Sequence, residues 1–88
     1  MKIIKRSGKL EDFNINKIRV SIENASADAR CPLNESDAKV ISSEIAKSIE
    51  KIRTEKTSSH EVFGATIRTL SSMGFSKIAL EYVKYSFV

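Results

Sequence analysis

A turn signal and a helix start lie close together at the beginning of the chain. Residues 2–6 and 11–14 are two short runs flanked by apolar side chains, and residues 7–9 separate them. This pattern is typical of a β-hairpin in which Gly8 adopts the positive φ angle of the turn. The second run leads directly into an amphipathic helix that begins near Asn14. The sequence therefore predicts a hairpin that lies over a helical domain.

The hairpin brings polar groups of several kinds into one small region. Strand alternation puts Ile3 and Lys5 on one face, and Ile4 and Arg6 on the other. Two cations, a carboxylate, an amide and a helix N-terminus are thus expected close together. Such groups suit a ligand with a phosphate chain at one end and a polar base or sugar at the other. We expect an anionic ligand beneath the hairpin.

Composition restricts the remaining functional classes. A chain of 88 residues with 41% hydrophobic and 30% charged residues is expected to fold as one domain. Cys31 is the only cysteine and cannot form an internal disulfide, and with a single histidine the usual structural zinc sites are ruled out. No apolar run approaches the roughly 18 residues of a membrane helix, and the start does not resemble a signal peptide. The expected compartment is the cytoplasm.

The positive charge is concentrated at the N-terminus. The net charge is +4, and four cations precede the first acid of the chain: Lys2, Lys5, Arg6 and Lys9. Beyond the hairpin, acids and bases alternate as they do on solvated helix faces. A nucleic-acid binder would usually spread its cations along a groove or a helix. The distribution therefore favours a small anion over a long polyanion.

Apolar residues at three- and four-residue spacing predict two helices after the hairpin. The stripe of the first helix consists of Ile15, Ile18, Ile22, Ala25 and Ala29. Pro32 disfavours helical geometry at Cys31, so this helix should end near residue 30. An acidic segment starts the second helix, with Asn34 or Ser36 as its cap. Its stripe is the most regular in the chain and consists of Ala38, Ile41, Ile45, Ile49 and Ile52.

Two more helices complete the predicted fold. Ser58 and Glu61 have the spacing of a capping box at the start of the third helix, and Gly74 ends that helix. Ser76 is expected to cap a fourth helix. The third helix carries Val62, Thr66 and Leu70 on one face and Phe63 and Ile67 on an adjoining face. The fourth helix carries Ile78, Ala79, Tyr82, Val83 and Tyr85, and the two tyrosines are expected to pack in the core or against a partner rather than to stack on a base. Residues 53–57 could add a short third strand beside the hairpin. The predicted fold class is α+β, a small four-helix bundle capped by a β-hairpin, in the order ββαα(β)αα and in one domain over residues 1–88.

Four motifs follow one another along almost the whole chain. They are Ile3-x-Lys5-Arg6-x-Gly8, Glu11-x-Phe13-Asn14-x-x-Lys17-Ile18, Thr57-Ser58-x-x-Glu61-Val62, and Leu70 with Ala79-x-x-Tyr82-x-x-Tyr85. In this order and spacing they resemble the ATP-cone. That family is the regulatory nucleotide-binding domain at the N-terminus of many ribonucleotide reductase large subunits, and it also occurs in the bacterial repressor of reductase genes.

The resemblance implies that ATP or dATP binds between the hairpin and the helices, with magnesium assisting and no chemistry on the nucleotide. By analogy, the phosphates meet Lys5, Arg6 and Lys17. Adenine or ribose is recognised by Glu11 and the region of Asn14. The residues that line the base pocket are Ile3, Phe13, Ile18 and Val62. Family positions near the sugar and the phosphates are occupied by Thr57 and Glu61, although a carboxylate repels phosphate unless magnesium bridges them.

The chain departs from the family pattern in two respects. Ser86 stands where the family commonly has an arginine after the second tyrosine, which puts one phosphate or interdomain contact in question. The family domain is usually fused to a catalytic or zinc-ribbon domain, and this chain carries neither. We expect either a free-standing cone or a domain of a longer protein, acting on an attached or partner reductase or regulator.

Structural roles compete with the ligand roles of several residues. Lys5 and Arg6 suit gatekeeper charges that prevent a hairpin edge from pairing with another chain. Lys17 suits a solvated helix face, and Thr57 and Glu61 suit the start of a helix. His60 is expected at the surface rather than as a general base.

Other functions also remain open. The third and fourth helices resemble a helix-turn-helix, but the fourth carries only Lys77 and Lys84, opposed by Glu81, and no side chain suited to base edges. Nucleic-acid binding through this domain is therefore disfavoured. An enzyme acting on nucleotides would need a phosphate-binding loop, a metal cluster or a general base, and the sequence shows none of these. A protein-interaction module that has lost nucleotide binding is the remaining alternative.

Overall fold

The computed structural model describes residues 1–5, 7–52 and 56–84. Over these residues the elements are β1 (Lys2–Ile4), β2 (Leu10–Asp12), α1 (Ile15–Asp28), α2 (Glu35–Ile52), β3 (Lys56–Ser58), α3 (Ser59–Ser72) and α4 (Ser76–Val83). The predicted α+β class and the order ββαα(β)αα are confirmed. Predictions for Arg6, residues 53–55, Tyr85, Ser86 and the Ile52 side chain fall outside the described part. None of the described helices combines the length and the apolar character needed to cross a bilayer.

The N-terminal hairpin has shorter strands than the sequence predicted. β1 and β2 pair antiparallel, with Ile3 opposite Glu11. The turn begins at Lys5, whose N–H donates to the Lys9 carbonyl at 2.9 Å and whose carbonyl accepts from the Gly8 N–H at 2.9 Å. The φ angle of Gly8 is +85°, which confirms the predicted turn glycine. The strands are short because the turn already uses the backbone groups of Lys5.

β1 is the central strand of a three-stranded sheet over the described residues. The strand order is β2-β1-β3, and β3 runs parallel to β1 with Thr57 opposite Ile3. A parallel pair needs a long crossover connection. Here α1 and α2 lie between the hairpin and β3 in the chain and provide that connection. The short third strand expected from the sequence is thus present as Lys56–Ser58.

Three of the helices begin at side-chain caps, and the sequence identified two of them, those of α2 and α3. The Asn14 Oδ1 accepts from the backbone N–H two residues later at 3.0 Å. The Asn34 Oδ1 accepts from the N–H three residues later at 2.7 Å, so Asn34 rather than Ser36 caps α2. The Ser58 Oγ accepts from the Glu61 N–H at 3.1 Å. Each cap satisfies a backbone donor that the first helical turn leaves unpaired.

The predicted cap of α4 is wrong. Phe75 occupies the cap position without a side-chain hydrogen bond, and Ser76 is the first helical residue. Gly74 takes a φ of +87° after α3, and the Phe75 N–H donates to the Leu70 carbonyl at 2.8 Å. The Phe75 ring also packs against the core. Tertiary packing of this ring therefore decides where α4 begins, and it overrides the capping preference of serine.

The hydrophobic core takes one face from each helix. α1 and α3 each pack against both α2 and α4. The buried residues of the core are Ile18, Ile22, Ala25, Ile41, Ile45, Ile49, Val62, Ala65, Leu70, Ile78, Ala79 and Tyr82. Val83, which the sequence assigned to the fourth stripe, is instead 37% exposed. The remaining stripe assignments agree with the core over the described side chains.

Tyr82 is a core residue with a satisfied hydroxyl. Its hydroxyl lies 2.8 Å from the Ser21 Oγ, and its ring centroid lies 5.6 Å from that of Phe63. A buried tyrosine needs a polar partner for its hydroxyl, and Ser21 provides one. The expectation that Tyr82 serves packing is confirmed.

We expect the substitution Ile45→Ala to lower the free energy of unfolding by about 2–5 kcal/mol, because it opens a cavity in a packed core. The Ile45 side chain is 0% exposed and lies at the middle of the α2 stripe. Chemical denaturation would measure the change. Val40→Ala is the matched control on the same helix, since Val40 is 51% exposed, and it should change stability by about 0.5 kcal/mol or less. Similar losses in both variants would contradict the assignment of the buried face.

Candidate functional site

Three of the predicted site residues form one row across the sheet. Ile3 in β1 is directly opposite Glu11 in β2 and Thr57 in β3. Residues opposite one another in paired strands project from the same face. Ile3 packs against the helical core, so this row lies on the face of the sheet that the helices cover. The strand spacing puts the ends of the row, Glu11 and Thr57, about 10 Å apart.

Glu11 connects the hairpin to α1 through two ion pairs. Its Oε2 lies 3.0 Å from the Lys5 Nζ in the hairpin turn, and its Oε1 lies 3.2 Å from the Lys17 Nζ in the first turn of α1. The Glu11 side chain is 32% exposed, whereas the lysines are more exposed. The structure therefore brings together three residues that the sequence predicted to share a site.

The two lysines favour the ionised form of Glu11. The hydrogen bond from Lys5 is the largest cause that lowers the pKa of the Glu11 carboxyl, and the hydrogen bond from Lys17 is the second. Lys2 similarly lowers the pKa of Asp12, its cross-strand partner. At neutral pH the cluster of Lys5, Glu11 and Lys17 thus carries one negative and two positive charges.

The predicted apolar residues divide between the surface of the core and its interior. Ile18 and Val62 are each 7% exposed and belong to the buried cluster. Ile3 and Phe13 are partly buried and pack against that cluster from the hairpin side. All four residues therefore belong to the core or to its edge. Ile3 and Phe13 have more surface available to a ligand than the other two.

Asn14 caps α1 with its side-chain oxygen, so only the other side-chain atoms are available for its predicted contact with a ligand. The amide nitrogen makes no hydrogen bond within the described residues, so that nitrogen can donate to a ligand acceptor. The side chain is exposed at the end of the hairpin, next to the strand that carries Glu11.

Thr57 and Glu61 lie in the wall of a cavity of about 310 Å³ between α2 and α3. Thr57 is 2% exposed, and its Oγ1 has no hydrogen-bond partner within the described residues. The other described residues of the wall are Ile49, His60, Gly64, Ala65 and Arg68. The cavity therefore adjoins the sheet row at Thr57 and continues along α3.

Sequence reasoning missed Arg68 and Gly64 as residues of this site. Gly64 lies three and Arg68 seven residues after Glu61, so all three share one face of α3. That spacing was the available signal. It carried little weight, because an exposed arginine on a helix is usually a solvated residue. Within the described part of the chain, no three metal-ligating side chains converge.

Comparison with known proteins gives one family. The family model of the ATP cone domain matches residues 1–87, which is essentially the whole chain and includes every predicted site residue. None of the curated proteins matches the sequence. The family match agrees with the resemblance that the ordered motifs indicate.

The Glu11 ion pairs should make stability depend on pH in a defined direction. Because folding lowers the pKa of Glu11, its pairs stabilise the fold above the ordinary glutamate pKa, and their contribution is lost as the pH falls through the lowered value. Thermal unfolding between pH 7 and pH 3 should therefore show a smaller acid-induced loss for Glu11→Gln than for the wild type. Glu50→Gln, at an exposed position of α2, is the control and should follow the wild-type curve. Coincident curves for all three proteins would mean that these ion pairs do not contribute.

Proposed function

Because the chain belongs to the ATP cone domain family, we propose that it binds ATP or dATP and transmits this binding to an attached or partner protein. ATP cones are regulatory, non-catalytic domains that bind adenine nucleotides. By the family resemblance, the protein regulated in this way is a ribonucleotide reductase or a regulator of reductase genes.

The observation that carries the proposal is the bridge from Lys5 through Glu11 to Lys17. It holds two ammonium groups within reach of one carboxylate, at the point where the hairpin meets α1. Ammonium groups bind phosphate as point charges, and a pair of them can contact neighbouring phosphates of one chain. The position next to partly buried Ile3 and Phe13 gives the same site an apolar side.

On nucleotide binding, Lys5 and Lys17 turn from Glu11 to the phosphates. Arg6 joins them, a role that rests on the motif alone. Glu11 then accepts hydrogen bonds from the adenine amino group or a ribose hydroxyl, and the Asn14 amide nitrogen donates to the same part of the ligand. The base lies against Ile3 and Phe13, with Ile18 and Val62 behind them.

Thr57 and Glu61 complete the site at the other end of the sheet row. The Thr57 hydroxyl, which has no partner in the described part of the chain, would hydrogen-bond the ligand. Glu61 needs a hydroxyl donor or a magnesium ion between its carboxylate and the phosphates. Magnesium binds through few protein carboxylates and keeps phosphate oxygens and waters as its other ligands.

The regulatory effect follows from the two elements that the ligand joins. The nucleotide contacts the hairpin on one side and α1 and α3 on the other. The bound nucleotide therefore stabilises the position of the hairpin relative to the helices. It favours the conformations of the attached or partner protein that are compatible with that position. The shift in the conformational equilibrium is limited by the difference in nucleotide-binding free energy between those conformations.

We expect GTP to bind at least about tenfold more weakly than ATP. Adenine presents an amino group to the acceptor Glu11, whereas guanine presents a carbonyl oxygen at the same edge. The mismatch leaves the Glu11 carboxylate facing a carbonyl oxygen, and a polar group left unpaired against a bound ligand costs about 1–3 kcal/mol. Isothermal titration calorimetry with both nucleotides in the presence of magnesium would measure the ratio. Equal affinities for ATP and GTP would contradict the proposed recognition of the base and would leave only a phosphate-binding site without base selectivity.

The double substitution Lys5→Ala/Arg6→Ala should abolish nucleotide binding without unfolding the protein. Charge-assisted hydrogen bonds contribute about 1.5–3 kcal/mol each, so each residue changes affinity by roughly ten- to a hundredfold. Arg6→Lys should lose less than Arg6→Ala, because the charge stays and the planar fork is lost. Without ligand, the variant and the wild type should melt within a few degrees, since exposed ion pairs contribute little to stability.

The readout is thermal stabilisation by ATP at a hundredfold excess over its wild-type dissociation constant. The wild type should gain about 2.7 kcal/mol and the double variant almost nothing. Lys9→Ala is the matched control, because Lys9 lies in the same turn, is exposed and forms no ion pair within the described residues. Equal stabilisation of the double variant and the wild type would mean that the nucleotide binds elsewhere.

A further inference from the structure

The cavity between α2 and α3 has a floor and walls of different chemistry. Ile49 and Ala65, both buried, form an apolar floor. Polar side chains from β3 and the exposed side of α3 form the walls, and at about 310 Å³ the cavity lies at the lower end of small-molecule sites. None of the cavity's described residues belongs to the cluster of Lys5, Glu11 and Lys17.

The Thr57 hydroxyl is the first indication of a ligand. Thr57 is 2% exposed, and its Oγ1 lacks a hydrogen-bond partner within the described residues. Buried hydroxyls in folded proteins are almost always paired, because burial without a partner is unfavourable. By contrast, the nearby Ser58 hydroxyl and the Thr66 hydroxyl are both paired with backbone groups. Thr57 therefore presents an unused donor and acceptor at the cavity wall.

Arg68 is the second indication, and it is independent of Thr57. Its guanidinium turns back along α3 over Gly64, so that a Cβ added at Gly64 would meet the Arg68 Nη1 at 3.3 Å. Long side chains on helices point toward the N-terminal turn, here toward Glu61 and the sheet. Arg68 forms no ion pair with any described residue. A planar guanidinium without a carboxylate partner in the described part, lying in a cavity wall, is a suitable donor for phosphate oxygens.

The remaining polar wall residues indicate what the ligand must carry. His60 adds a ring N–H donor, and Glu61 adds a carboxylate. A bare anion would be repelled by Glu61. A phosphate that arrives with a hydroxyl group or a bound magnesium ion can bind Arg68 without placing a bare anion against the Glu61 carboxylate.

We propose that this cavity takes the phosphate end of the bound nucleotide and that Arg68 makes the protein select a triphosphate over a monophosphate. The inference rests on the proposed function, since it assigns the same ligand a second set of contacts. The base and sugar lie at the Glu11 end of the sheet row, where Lys5 and Lys17 contact the phosphate nearest the sugar, and the outer phosphates pass Thr57 into the cavity. Arg68 and His60 bind them there, and Gly64 leaves room for the guanidinium.

Affinities for ATP and AMP, measured by calorimetry, test the role of Arg68. Arg68→Ala should weaken ATP about ten- to hundredfold and leave AMP nearly unchanged, because only the outer phosphates reach this side chain. Arg68→Lys should fall between the wild type and Arg68→Ala, since it keeps the charge without the fork. Lys39→Ala, at an exposed position of α2 without an ion pair in the described part, should leave both affinities unchanged.

Gly64→Ala separates a binding role from a structural one. Alanine favours an α-helix over glycine, so this variant should melt at the same temperature as the wild type or higher. Its added Cβ crowds the guanidinium and should weaken ATP severalfold without weakening AMP. A variant that is at least as stable and yet binds ATP less tightly supports the contact with Arg68.

The two proposals can fail separately. If the wild type binds ATP and Arg68→Ala binds ATP equally well, the cavity proposal is overturned and nucleotide binding stands. If the wild type binds no adenine nucleotide, the proposed function fails, and inorganic tripolyphosphate with magnesium becomes the probe, because the magnesium ion removes the repulsion between the anion and Glu61. NMR shifts at the Arg68 side-chain N–H and the Gly64 amide on adding tripolyphosphate would then support the cavity as a phosphate site. Unchanged signals would overturn it.

Discussion

The short strand β1 holds the candidate site together, because it pairs with β2 on one side and with β3 on the other. Through Ile3 it aligns Glu11 with Thr57, two residues that are 46 positions apart in the sequence. β2 leads into α1 and β3 leads into α3, so the position of each helix start depends on the same strand. The relative positions of the polar groups of the candidate site, from Lys5 to Arg68, therefore depend on the pairing of β1 with β2 and β3.

The stabilising interactions are distributed unevenly between the helices and the hairpin. The helices share a buried core of aliphatic side chains, and burial of apolar surface is the main source of stability. The hairpin contributes Ile3 and Phe13 to the edge of that core, while Ile4 and Leu10 on its outer face remain exposed. Ligand-contacting segments commonly belong to the less stable parts of a fold. The hairpin has this character, and the helical bundle provides a rigid base beneath it.

Glu11 gives the ligand-free protein an internal substitute for part of a ligand. Its carboxylate holds Lys5 and Lys17 near one another, where two ammonium groups alone would repel. Under the proposed function, a phosphate chain with more negative charge displaces the carboxylate and uses lysines that are already in position. The proposal then gives the released carboxylate the role of acceptor for the base or the sugar.

The sequence by itself determined the helices, the caps of α2 and α3 and the turn glycine, because these depend on residues only a few positions apart. The family resemblance of its motifs grouped Lys5, Glu11 and Lys17, which meet in the structure. Only the tertiary structure decided that the third strand pairs with β1 rather than β2 and in parallel, that Phe75 rather than Ser76 precedes α4, and that Arg68 shares a cavity with Thr57. These features depend on how α2 and α3 pack and on the crossover between parallel strands. Local spacing carries no information about contacts between segments that only the folded core brings together.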